Sequence, residues 1–253
     1  MKALNLLWQP LRRQPITLAA LFAIVALSWW YLVNMAQGMT TMDMPMPFRP
    51  WSGNDFLVML LMWIIMMVGM MIPSALPMIL LYKQVARHNR LRHVGLGVTL
   101  FVLGYLLVWS VFSLLATVLQ WQLERLTLLS PMLVSNSVVF SATVLILIGL
   151  YQWSPWKESC LRWCRGPMLF ITRHWQPGLS GALRMGIRHG AFCTGCCWLL
   201  MALLFVGGVM DLTVIAAVAV LVLLEKLLPG GHVFTRGTGI LAILTGLALL
   251  TYY

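Results

Sequence analysis

The chain has 253 residues, 61% of them hydrophobic and 9% charged, with a formal net charge of +11 and a mean hydropathy of +0.89. Soluble domains carry about 25% charged residues, so this composition excludes a soluble globular enzyme and makes lipid the principal solvent. The length suits one compact bundle over residues 1–253. The positive charge reads as a device for orienting the chain in a bilayer, not as a surface for nucleic acid.

A helix needs about 20 apolar residues to cross the hydrocarbon core. Seven stretches qualify: 16–36, 56–82, 95–119, 132–151, 190–210, 212–228 and 237–253. The expectation is therefore all-α, a polytopic transmembrane bundle of about seven helices. The first stretch follows Arg12, Arg13 and Pro15. Residues 1–37 have the basic start and apolar run of a signal peptide, but "VNMAQGM" offers no small-x-small cleavage site, so an anchor is expected. The second stretch contains Pro73 and Pro77, which predict a kink in its later half. Asp211 alone separates the fifth and sixth, which predicts a tight hairpin.

With the N-terminus inside, 15 of the 17 basic residues fall on inner segments, and only Arg49 and Arg125 lie outside. Four of the six acids, Asp43, Asp55, Glu124 and Asp211, lie on the outer side. This satisfies the positive-inside rule. It makes 37–55 a Met-rich outer loop and 152–188 a basic cytoplasmic loop. Glu225 and Lys226, at the inner end of the sixth stretch, are expected to snorkel or to pair with each other. His88 and His93 are expected to be solvated.

Twelve of the 18 methionines fall between Met35 and Met78. Met42, Met44 and Met46 alternate in the polar, Pro-containing outer loop around Asp43. In the second stretch Met66 pairs with Met70 and Met67 with Met71 at i, i+4, so each pair shares a helix face. Met59, Met62, Met66 and Met70 form one stripe, rising roughly 16 Å. Met67, Met71 and Met78 form an adjoining one. Thioether sulfur is soft, uncharged and never protonated, which suits Cu(I). The packing alternative stays open, because methionine also fills cores as an apolar, adaptable side chain.

All five cysteines lie toward the inner side, so reduced thiols are expected instead of a structural disulfide. In "RHGAFCTGCCW" His189, Cys193, Cys196 and Cys197 recur at i, i+4, i+7 and i+8, which places them on one helical face. Three thiols and an imidazole suit Cu(I), or Zn(II). Arg184 and Arg188 nearby favour thiolate. Small residues such as Gly195 equally permit close helix packing. Cys160 and Cys164, at i, i+4 in "SPWKESCLRWCRGP", suit an extension of this cluster, a metal transfer point or a Trp-rich interfacial segment. No phosphate-binding loop, His-Glu-x-x-His or nucleophile elbow occurs, so no enzymatic reaction is assigned and an ATP-driven pump is excluded for the chain acting alone.

Four blocks in order, "WIIMMVGMMIPSALPMILLY", "GLYQWSPWKESCLRWCRGP", "GALRMGIRHGAFCTGCCWLLMALLFVGGVMDL" and "LLEKLLPGG", resemble a bacterial family described as predicted metal-binding integral membrane proteins, formerly a domain of unknown function, with copper-chaperone-like relatives. The resemblance runs from about residue 55 to the C-terminus. It implies metal binding and a multi-pass place in the bacterial inner membrane. The Met-x-x-x-Met pair also resembles, locally, the eukaryotic high-affinity copper importers, whose three-span trimeric geometry does not carry over. The expectation is a protein handling Cu(I), by uptake or by delivery to a membrane cuproenzyme. Its partners would be the bilayer and a copper chaperone or cuproenzyme. The rivals are a thiol-redox or haem-associated membrane enzyme and a non-catalytic scaffold subunit.

Overall fold

A computed structural model describes residues 14–40, 51–127, 135, 137–228 and 231–252. Ten α-helices are found among them: α1 (Pro15–Thr40), α2 (Gly53–His88), α3 (Val94–Arg125), α4 (Val138–Gln152), α5 (Pro155–Arg165), α6 (Pro167–His174), α7 (Gly178–Cys197), α8 (Leu203–Gly207), α9 (Leu212–Leu227) and α10 (Gly231–Tyr252). A 3₁₀ turn, Leu200–Ala202, joins α7 to α8. No β-sheet occurs among the described residues.

Four helices, α1, α2, α3 and α10, are long and apolar enough to cross a membrane. Two bent pairs, α4 with α5 at 65° and α7 with α8 at 58°, raise the number to six if each is one span. The expected fifth span, 190–210, is therefore not a single helix: α7 begins at Gly178 and the chain bends after Cys197. The stretch 152–188, expected as a loop, holds α5, α6 and the first half of α7. α9, which sequence counted as the sixth span, is 16 residues long.

Local chemistry explains the boundaries. Ser52 and Asp55 close a capping box at the start of α2. The helix then continues through Pro73 and Pro77 without interruption. Ser154 caps α5 and Pro155 occupies its first turn, which ends α4 and starts the bend. Asp211 is the N-cap of α9, its carboxylate accepting from the Thr213 and Val214 amides. Gly208, at φ 109°, makes the turn before it.

α2 is the central helix. Met62, Trp63, Met66, Met67, Met70, Met71 and Met78 are all at most 2% exposed, so both methionine stripes face protein. α3 and α7 cross along small residues. A Cβ added at Gly186 would overlap the Phe101 backbone carbonyl, and one at Gly104 the Leu183 carbonyl. At Gly190 it would lie 3.1 Å from the Tyr105 carbonyl. Without a hydrophobic drive between helices in lipid, such backbone approach supplies the van der Waals contact. It also sets the turn of α7 that carries the cysteines against Tyr105. α10 packs on α4 in the same way, through Gly149, Gly239 and Gly246.

Candidate metal site

The face of α7 predicted from spacing is buried: His189, Cys193, Cys196 and Cys197 are each at most 3% exposed. All five cysteines are free thiols. Cys193 is the hub. Its sulfur receives a hydrogen bond from Lys226 Nζ of α9 at 2.9 Å and lies 3.0 Å from the Tyr105 hydroxyl of α3. Lys226 Nζ also donates to Ser74 Oγ of α2 at 2.9 Å. Tyr105 donates to the Met71 carbonyl at 3.2 Å. Side chains of α3 and α9 thus reach the Cys193 sulfur of α7, and α2 is joined one hydrogen bond further out, through Ser74 and the Met71 backbone carbonyl.

Cys196 and Cys197 each point a thiol at the Cys193 carbonyl at 3.0 Å. Cys196 Sγ is also 3.9 Å from Cys164 Sγ of α5. Two metal–sulfur bonds of about 2.3 Å put their sulfurs ~4.0 Å apart at a trigonal angle, so this pair can share one ion with little movement. Cys160 instead packs its sulfur on Gly195, 2.9 Å from where a Cβ would stand. The Tyr151 hydroxyl docks on the Gly195 carbonyl beside it.

His189 packs its ring against Tyr105 and Phe170, at centroid distances of 5.8 and 5.2 Å. Its Nδ1 is buried without a hydrogen-bond partner, an orphan that calls for a proton donor or an ion. Among the described residues no three His, Cys, Asp or Glu side chains stand in a finished metal-holding arrangement. The thiols are gathered, but as thiols hydrogen-bonded to one another and to backbone, short of a coordination shell.

Met66, Met67, Met70 and Met71 form the buried face of α2 described above. Met42, Met44 and Met46 lie outside the described residues. Sequence reading missed three neighbours of the site, Tyr105, Ser74 and Lys226, and left open whether Cys164 takes part. Glu225 and Lys226 do not pair with each other. Glu225 binds Lys157 Nζ at 2.7 Å and accepts from Gln152 Nε2 at 2.7 Å, while Lys226 turns to Cys193. Neighbouring residues on a helix point about 100° apart and do not face each other, a signal that was available in the sequence. Outside the bundle, His174 ends α6 against Trp163 at 4.8 Å. Burial, with Arg188 and Arg173 nearby, holds its pKa below the usual histidine value.

The fold and this site define a helical membrane protein with a buried sulfur core. A family profile described as copper chaperone matches residues 60–249, about three quarters of the chain, and the chain belongs to that family. No curated protein and no solved structure matches it.

Proposed function

We propose that this protein binds Cu(I) along the methionine face of α2 and holds it at Cys193, Cys196 and Cys164, with His189 as a further donor. The reading is supported by one observation above all: the buried methionine face of α2 is joined to the thiols of α7 through Tyr105, whose hydroxyl donates to the Met71 backbone carbonyl and lies 3.0 Å from Cys193 Sγ. Thioethers are neutral and bind Cu(I) without a charge imbalance, so they suit passage. Thiolates are anionic and bind it more strongly, so they suit retention. Cu(I) with two thiolates carries one net negative charge, which is costly in an apolar interior. The Lys226 ammonium, 2.9 Å from Cys193 Sγ, offsets that charge. The copper chaperone family to which the chain belongs agrees with this chemistry.

Seven spans with the N-terminus inside would put the thiols on the cytoplasmic side of a bacterial inner membrane. Met42, Met44 and Met46 would then gather the ion outside, for uptake or for delivery to a membrane cuproenzyme. Copper analysis of purified protein after Cu(I) loading and desalting against a competing chelator tests the ligand set. Wild type is expected to retain copper, Cys193→Ser and Cys196→Ser to lose it, and Met66→Leu/Met70→Leu to load slowly. Equal retention in all of them overturns the ligand assignment. A second reading, a dithiol redox centre, is favoured by the 3.9 Å between Cys164 and Cys196. It predicts a reversible disulfide and loss of a redox activity, without copper, in Cys164→Ser.

A further inference from the structure

The methionine face of α2 has an opposite wall on α3. Glu124, Gln120, Thr117 and Ser113 recur at i, i−4, i−7 and i−11, within about 60° on a helix turning 100° per residue. Gln120, Thr117 and Ser113 are fully buried, at 0% exposure. Thr117 and Ser113 donate their hydroxyl protons to their own helix, at 2.8 Å each, which leaves hydroxyl oxygens as acceptors only. At the end remote from the cysteines this polar stripe is tied to α2. Gln120 Oε1 accepts from Trp63 Nε1 at 2.7 Å. Gln120 Nε2 donates to Glu124 Oε1 at 2.9 Å and lies 3.8 Å from Met59 Sδ. Glu124 Oε2 accepts from Trp51 Nε1 at 2.7 Å.

We infer that Glu124 and Gln120 form the mouth of the sulfur column, where a monovalent soft cation is drawn in by the carboxylate and passed to Met59. The inference rests on the Cu(I) reading above and names the residues that admit the ion. Each Glu124 oxygen accepts one hydrogen bond and a carboxylate has about four acceptor sites, so half its capacity is free. Among the described residues the one ion pair joins Lys157 and Glu225, so Glu124 has no cation of its own there. Arg125, its chain neighbour, lies over the Trp121 ring at 5.1 Å. Trp51 and Gln120 aim the carboxylate, and Gln120 links it to the first thioether. A carboxylate beside an apolar, low-dielectric interior raises the local concentration of a counter-ion and hence its rate of arrival.

The bland alternative is that these four polar groups only satisfy one another. The test uses Ag(I), soft, monovalent and redox-stable, added to the full-length protein in lipid nanodiscs, with arrival at the thiols followed by the thiolate-to-metal absorption band. Glu124→Gln, nearly isosteric, is expected to slow arrival about 10-fold, to lose its salt dependence and to leave the final Ag(I) stoichiometry unchanged. Glu124→Asp keeps the charge but disturbs the hydrogen bonds, and is expected to retain most of the rate. Wild-type kinetics in Glu124→Gln overturn the inference while leaving the copper reading intact. Slowing in Glu124→Asp equal to that in Glu124→Gln assigns the residue to packing and also overturns it. A wild-type protein that takes up no Ag(I) overturns the copper reading and the inference together.

Discussion

Two buried lysines, Lys157 and Lys226, are 1% and 6% exposed, and they face different kinds of partner. Lys157 on α5 meets the Glu225 carboxylate, which Gln152 also holds. Arg165 donates from Nε to the Glu225 carbonyl at 2.7 Å. The Lys157 and Glu225 charges match each other, Arg165 is held by a carbonyl and the Thr235 hydroxyl, and the knot joins α4, α5 and α9. Lys226, the next residue on α9, meets a sulfur and a hydroxyl. Sulfur can stay a neutral thiol or become a thiolate, so this second region can change its charge without unfolding. The first knot holds the helices; the second is suited to chemistry. The difference arises because consecutive residues of one helix point to different neighbours.

The largest expected effect is on the closed pair. Lys157→Met strands Glu225 in the interior and should cost about 3–5 kcal/mol, read as a lower thermal midpoint in detergent. Lys157→Met combined with Glu225→Leu should recover most of it, since no buried charge is left unmatched. A double variant as unstable as the single one would show that the pair is not an independent unit. Gly186→Ala should come next, at about 1–3 kcal/mol, because the new methyl group must displace the Phe101 backbone. It should also lower copper retention, since the same crossing sets Cys193 against Tyr105; normal retention in a destabilised variant would break that link.

Lys226→Met should be milder for stability, about 1 kcal/mol, because the thiol it leaves can remain neutral. Copper retention should nevertheless fall about 10-fold, as measured by chelator competition. A loss of stability as large as that of Lys157→Met would erase the contrast between the two lysines. The smallest effects separate the α5 cysteines. Cys164→Ser should lower copper retention and Cys160→Ser should leave it near wild type, because only Cys164 lies 3.9 Å from Cys196. Equal losses would mean that the thiol cluster rearranges on loading.

Much of the site was legible. Spacing of 3.6 residues put Met66, Met67, Met70 and Met71 on adjoining stripes and His189, Cys193, Cys196 and Cys197 on one face. Burial agrees for all eight. The polar stripe of α3 was equally readable, because Ser113, Thr117, Gln120 and Glu124 interrupt an apolar helix at helical spacing. The bend after Cys197 was not legible, since the apolar run continues through it. Nor was the contact between Cys164 and Cys196, which joins residues 32 positions apart on two different helices.

What the amino-acid order determined by itself is local: a helical chain apolar enough for lipid, the helix caps, and the side chains that share a face. These follow from a rise of about 1.5 Å and a turn of about 100° per residue, which need no partner. Only the tertiary structure decided which faces meet. Ser74 and Lys226 are 152 positions apart, and their meeting at Cys193 depends on how closely α3 and α7 cross. Backbone contact at Gly186 and Gly190 sets that crossing, and with it the chemistry of the sulfur that Lys226 faces.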